Sequence, residues 1–471
     1  METSKPDILL ILADQHRGDC LSSAEHPVLM TPNIDAIGGA GTRFTRAYST
    51  CPVCHPARRT ILSGQSPDTH GARTNVNEQW DVEHTIGTLF RDAGYQTGWI
   101  GLTMHQYPPR KRMGFEEVVL SDYRCEDDYD EFLKRNMPEG DAGYYGSGIL
   151  ANDWTARPFP LSERLHSTNW TVHEAQRFLA RRDPTRPFCM VASFIAPHPP
   201  LIPPEFYFNR YLRTCVPDPH IGDWAMPPPN GGIGGGPSGF KVDLQGEALL
   251  SARAGYYGLI NHLDDQIRRL LSNLTCGLDL NNTIVVYTSD HGEMLGDHYM
   301  WKKSMPYEGS AHVPFMVRLP KRFEGPVGQV LDYPVCLEDI LPTLCDLAEI
   351  EIPDTVDGSS LAGILRGEPP PESRTLHLQC AHQAHPLKHH TLTDGKEKFI
   401  WNTVDGMEQF FRLTDDPHEL HDLSERPEEA GRVSYWRSEL IKKLADAPEG
   451  FTDGKRLIPG RPFPAVRPSR R

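Results

Sequence analysis

The sequence predicts an α/β protein: an open sheet with helices on both faces, followed by a smaller α+β unit. Three features carry that reading. Short, β-branched-rich apolar runs recur along the chain, helical spacing fills the stretches between them, and two of the runs end directly in acidic residues.

Taken in order, residues 7–13, 97–100, 188–194, 283–288 and 314–319 are mostly apolar and only a few residues long, as buried strands are. The clearest helix places Leu259, Leu263, Ile267, Leu270, Leu271 and Leu274 on one face at spacings of three and four. Residues 217–240 are dense in Pro and Gly and predict a long surface loop. The Pro-rich, acidic stretch 367–372 marks a boundary, dividing a main domain, 1–370, from a smaller unit, 371–454. Within the smaller unit, 396–401 and 408–413 read as strands and 427–445 as a helix. The last stretch, 455–471, mixes Pro with Lys and Arg and is expected to be disordered or to embrace a partner, which would make the chain a homo-oligomer. There is no internal repeat.

Composition narrows the function. A formal net charge of -15 argues against nucleic acid, whose binding depends on clustered Lys and Arg, so an anionic substrate must meet a local positive site. No stretch approaches the roughly eighteen unbroken apolar residues of a membrane span. The run 8–13 is too short for a signal-peptide core, which makes the chain as given a soluble, cytoplasmic protein, or a periplasmic or secreted one if a leader has been removed. Ten cysteines without regular spacing are scattered thiols rather than a disulfide framework.

In an open α/β sheet the ligand site lies beyond the carboxyl ends of the strands. Residues 8–13 run into Asp14-Gln15-His16 and residues 283–288 into Ser289-Asp290-His291, so both deliver carboxylates to one edge, where a metal would sit. The segment Cys51-Pro-Val-Cys54-His55-Pro56-Ala57-Arg58 stands apart from the other cysteines. Pro56 suits the first turn of a helix, which would put residue 54 at the amino end, where unpaired N–H groups favour anions. Taken alone, this segment also fits a packed cysteine, a Cys51/Cys54 redox pair or c-type haem attachment.

The run from Cys54 through Pro56 and Arg58 to Gly64 resembles the signature of the sulfatase family, in which Cys-x-Pro-x-Arg is read by an enzyme that converts the cysteine to formylglycine. Thr288-Ser-Asp290-His291-Gly-Glu-Met-Leu-Gly-Asp-His298, Lys303-Ser-Met-Pro-Tyr-Glu308, Ala196-Pro197-His198-Pro199, Asp339-Ile-Leu-Pro-Thr343 and Val356-Asp-Gly-Ser-Ser-Leu361 resemble further segments of the family, in the expected order over residues 7–423.

The resemblance implies an alkaline-phosphatase-like fold, with a mixed, largely parallel sheet and an antiparallel sheet in the C-terminal unit. It implies a sulfuric ester hydrolase acting on a sulfated carbohydrate or aryl sulfate. Asp14, Gln15, Asp290 and His291 would bind one divalent metal ion together with the formylglycine made from Cys54 by a formylglycine-generating enzyme. An imidazole among oxygen ligands leaves calcium and manganese as the candidates. Arg58 and Lys303 would neutralise ester oxygens and hold the modified residue, His198 would protonate or stabilise the leaving oxygen as a general acid, and His105 would deprotonate the second hydroxyl of the aldehyde hydrate.

Relatives usually carry a lysine where Thr103 stands. Thr103, Asn75, Gln15 and His291 together resemble the phosphonate monoester hydrolases of the same superfamily, in which Asn75 would contact an ester oxygen, so a phosphonate monoester or phosphodiester is the alternative substrate. A catalytically dead, carbohydrate-binding relative is the reading from another class. The Gly-rich stretch 231–236 and the residues around Tyr299 and Trp301 are candidates for the pocket that takes the alcohol half.

Overall fold

The five apolar runs all become strands of one sheet, and all are buried from both sides. The structure, a computed structural model, describes residues 5–122, 127–141, 143–229, 236–272, 277–382 and 387–467. Eight strands lie in the order Glu117–Ser121, Gln96–Leu102, Phe188–Pro197, Asp7–Asp14, Thr283–Ser289, Phe315–Arg318, Thr42–Phe44 and Gln329–Leu331. The first five run parallel, whereas Phe315–Arg318 is antiparallel to both neighbours. The sheet is therefore mixed and largely parallel.

Alternation along the central strand explains why its apolar run has no polar face. Leu9, Ile11 and Ala13 join the core beneath the helices Pro32–Gly39, Ser167–Arg181 and Gly246–Leu271. Ile8, Leu10 and Leu12 join the opposite core beneath Cys54–Ser63, Ile86–Asp92 and Ile340–Leu347. The long helix begins well before Leu259, because Gly255 and Gly258 lie where the chain approaches Leu201 and Pro203: a Cβ on Gly255 would stand 2.6 Å from the Ala156 side chain. Leu274 and residues 231–235 fall outside the described residues.

Pairing of Ala13 with Ser289 sets Asp14 beside Asp290 at one sheet edge. The nucleophile helix Cys54–Ser63 ends at Gly64, whose left-handed φ of 67° turns the chain. There the carbonyl of Gly64 accepts from the N–H groups of Asp357 and Gly358, so the 356–361 segment anchors the helix at its far end.

The C-terminal strands Leu376–Cys380, His389–Thr393, Glu397–Asn402 and Glu408–Arg412 form an antiparallel meander, covered by the helix Ala430–Lys443 through Val433, Trp436 and Leu440. This unit is bonded to the main sheet's side of the molecule. Gln379 N–H donates to Thr50 and Ala381 N–H to Arg73, both near the start of the nucleophile helix. The buried Lys398 ammonium bridges Glu308 at 2.7 Å and Glu419 at 2.8 Å.

The tail departs from the expectation of disorder or a partner contact. As far as Arg467 it packs on its own chain: Phe463 is buried in the C-terminal core, Arg73 lies 4.9 Å over its ring, and Arg467 reaches Asp68. Backbone bonds from Arg73 N–H to Ala465 and from Arg467 N–H to Gly71 complete the contact. Composition misled here because one aromatic and one arginine suffice to dock a Pro-rich segment. Truncating Phe463→Ala should cost about 3 kcal/mol in urea denaturation; a loss below about 0.5 kcal/mol, the scale of an ordinary surface change, would show that the tail is not docked in solution.

Candidate active site

The strand ends and the nucleophile helix meet in a buried cluster. One ligand atom each from Asp14, Cys54, Asp290 and His291 lies within 4.8 Å of the others. Ligands on opposite sides of one calcium-sized ion stand at most about 5 Å apart, so the four groups fit a single cation. Cys54 Sγ is 3.2 Å from His291 Nε2 and 4.0 Å from an Asp14 oxygen, and His291 Nε2 is 3.6 Å from Asp14 and 3.7 Å from Asp290. His291 Nδ1 donates to the Gly292 carbonyl at 2.9 Å, which leaves the Nε2 lone pair facing the cluster.

The electrostatics also favour a cation. Burial, and then repulsion from Asp290, pushes the Asp14 carboxyl up; burial does the same to Asp290 against the pull of Arg58. Burial and the Lys303 charge bring His291 down to about 3, so its imidazole is neutral at pH 7. Burial, then the Asp14 charge, pushes the Cys54 thiol up to about 12. An unmodified Cys54 is therefore a thiol at neutral pH, a poor nucleophile. Its neighbour Cys51 turns elsewhere, into a small cluster with Val53 and Cys380, so the two thiols of the Cys-x-x-Cys segment do not share one environment.

Arg58 sits one helical turn beyond Cys54 and is fully buried. Its Nε donates to Asp290 at 3.0 Å, Nη2 to Asp14 at 3.3 Å, and Nη1 to Ser193 Oγ at 3.0 Å and the Thr103 carbonyl at 3.3 Å. These bonds set Arg58 against both carboxylates, beside residue 54. Thr103 contributes its carbonyl to Arg58, while its hydroxyl donates to Gln106. Asn75 Oδ1 accepts from the His55 N–H at 3.0 Å, so it braces the amino end of the nucleophile helix. His105, at φ 55°, stacks on His55 at 4.7 Å, on the flank of residue 54.

Gln15 stands beside the cluster. Its φ of 73° is held by Tyr256, whose hydroxyl donates to the Gln15 carbonyl, and by Asp290, which accepts from its N–H. Its Oε1 accepts from Lys303 at 2.8 Å, and its amide donates to Glu293.

Lys303 also faces His198 Nε2 at hydrogen-bond distance, while His198 Nδ1 donates to the Pro199 carbonyl at 2.6 Å. Burial, and then Lys303, hold the His198 imidazole well below its usual range. His198, expected to protonate or stabilise the leaving oxygen, thus presents its Nε2 to Lys303.

Two contributors were missed by sequence reasoning. Glu293 lies inside the Asp290-His-Gly-Glu stretch but was not assigned a role. Its Oε1 accepts from the N–H groups of Leu295 and Lys302, tying the lysine pair to the first strand's tip. Ser193 lies mid-strand, with no motif to mark it. Replacing Arg58 by Met in chelator-treated protein should lower stability by about 3–5 kcal/mol, because it strands two buried carboxylates; an unchanged unfolding midpoint would show that the pairing contributes nothing.

Comparison with known proteins agrees with this geometry. The Sulfatase family model matches residues 6–350, and the model for the N-sulphoglucosamine sulphohydrolase C-terminal region matches residues 296–446. An arylsulfatase of Clostridium perfringens is 39% identical over 98% of this chain and 99% of its own. An N-acetylglucosamine-6-O-sulfatase of Bacteroides thetaiotaomicron is 25% identical over 96% of this chain and 88% of its own. The solved phosphonate monoester hydrolase of Agrobacterium radiobacter superposes with a TM-score of 0.77 at 26% identity, covering 97% of this chain and 100% of its own. Two carboxylates and an imidazole gathered around the cysteine of a Cys-x-Pro-x-Arg helix, inside a family match spanning most of the residues, make the chain a member of the sulfatase family.

Proposed function

We propose that this sulfatase-family enzyme hydrolyses sulfate esters at residue 54 and uses a divalent cation held by Asp14, Asp290, His291 and that residue. The observation that carries the reading is the approach of these four buried groups to within 4.8 Å. Gln15, with its oxygen on Lys303, stands at the edge of the ligand set as a positioning group. The cation would be calcium or manganese; when bound, it would lower the pKa of an attacking hydroxyl and polarise the ester.

Converted to formylglycine, residue 54 supplies a hydrated aldehyde whose first hydroxyl attacks sulfur and whose second, once deprotonated, lets the adduct collapse and release sulfate. Position 54 would be prepared for this by its helix: the amino end favours negative charge, and Asn75 fixes the His55 N–H beside it. Lys303, in hydrogen-bond contact with His198, would face the ester, and this pair would assist departure of the alcohol. His105, stacked on His55, would take the proton of the second hydroxyl. Arg58 keeps both carboxylates oriented between turnovers.

The arylsulfatase and N-acetylglucosamine-6-O-sulfatase relatives support an aryl or carbohydrate sulfate as substrate. The fold match to a phosphonate monoester hydrolase, together with threonine at position 103, supports a phosphonate monoester or phosphodiester as the second reading.

Two results are expected. Co-expression with a formylglycine-generating enzyme should give an intact mass lowered by exchange of the Cys54 CH2–SH group for an aldehyde, and Cys54→Ala should lose at least about 10³-fold in kcat; full activity with unmodified Cys54 would contradict the mechanism. Across an aryl sulfate, a phenyl phosphonate and a phosphodiester, kcat/KM should be highest for the sulfate. A sulfate value far below the other two would transfer the assignment to the second reading.

A further inference from the structure

Lys302 is a buried ammonium, 8% exposed, with no carboxylate within ion-pairing distance among the described residues. Its Nζ donates to the Ser238 carbonyl and lies 4.4 Å over the ring of Phe240. A carbonyl and an aromatic face compensate a desolvated charge only in part. Most other buried cations near the site are answered in full: Arg17 by Asp19 and Asp297, Arg58 by Asp14 and Asp290, Lys398 by Glu308 and Glu419.

The position of Lys302 is fixed on all sides. Its N–H donates to Glu293, its carbonyl accepts from Met294 N–H at 2.7 Å, and the next residue is Lys303, which reaches Gln15 and His198. The Phe240 ring meets His382 edge-on at 5.2 Å. His382 follows the strand Leu376–Cys380 of the C-terminal meander, and the bonds from Gln379 to Thr50 and from Ala381 to Arg73 deliver it to this side of the site. Its Nδ1 is buried with no hydrogen-bond partner among the described residues. The Phe240 ring thus touches both groups, with the Lys302 ammonium over its face and the imidazole at 5.2 Å.

Three segments far apart in sequence therefore meet around Phe240, where an under-compensated cation and an imidazole with an unsatisfied ring nitrogen contact the same ring. We propose that Lys302 and His382, spaced by Phe240, form a subsite for a second anionic group on the alcohol half of the substrate, so that the preferred esters are sugars carrying a further sulfate or a carboxylate. The subsite rests on the sulfate-ester reading above and adds the class of substrate to it. An anion there would receive an N–H···O⁻ bond from the ammonium and another from His382 in its Nδ1–H tautomer, with no bond made or broken.

The test compares three substrates with the same scissile sulfate: a monosulfated sugar, the same sugar with a second sulfate, and its uronate counterpart. Wild-type enzyme, carrying formylglycine, should favour one or both anionic sugars by about tenfold or more in kcat/KM. Lys302→Met and His382→Ala should each shrink that ratio toward one, whereas Lys302→Arg should retain it. Which of the two anionic sugars is favoured tells a sulfate subsite from a carboxylate subsite. Equal kcat/KM on all three in the wild type, or an unchanged ratio in both folded variants, would overturn the subsite while leaving sulfate-ester hydrolysis standing. Failure to turn over any sulfate ester would remove both.

Discussion

The bridge from Arg58 to Asp14 and Asp290 is the constraint on which the rest of the structure depends. Both carboxylates and the guanidinium are fully buried, so each ion is costly unless the others remain in place. The carboxylates project from adjacent parallel strands, and the guanidinium comes from the helix whose first residue is Cys54. Sheet and nucleophile helix are thereby locked in one relative position, with residue 54 set over the strand tips. Gly64, the 356–361 segment and Asn75 secure the helix at its two ends, so the geometry at residue 54 is over-determined.

Much of this was legible in the sequence because it follows from periodicity and strand ends. An apolar run that stops at Asp14 and another that stops at Asp290 mark the carboxyl edge of a parallel sheet, and that edge is where the site lies. The pattern could not reveal which hydrogen bonds each polar residue would make. Arg58, Asn75 and Thr103 were marked as site residues, but not the bonds from Arg58 to the carboxylates, from the His55 N–H to Asn75 or from Thr103 to Gln106. Ser193 and Glu293 were hidden for the same reason: only the fold shows that a mid-strand hydroxyl meets a guanidinium, or that one carboxylate collects two backbone N–H groups and the Gln15 amide.

The C-terminal unit illustrates a second limit of sequence reasoning. Its strands and helix could be read from their own patterns, but its attachment could not. The buried Lys398 bridge to Glu308, the pairing of Gln379 with Thr50 and the stacking of Arg73 on Phe463 all depend on partners outside the unit's own elements. These contacts hold the unit against the segments that flank the Cys54 helix. Among the described residues no helix is long and apolar enough to cross a membrane.

Metal analysis of purified protein carrying formylglycine tests the central claim most directly. The account predicts one divalent ion per chain in the wild type, lost in both Asp14→Asn and Asp290→Asn while the fold is retained. A wild type without metal, or variants that keep their ion, would contradict it.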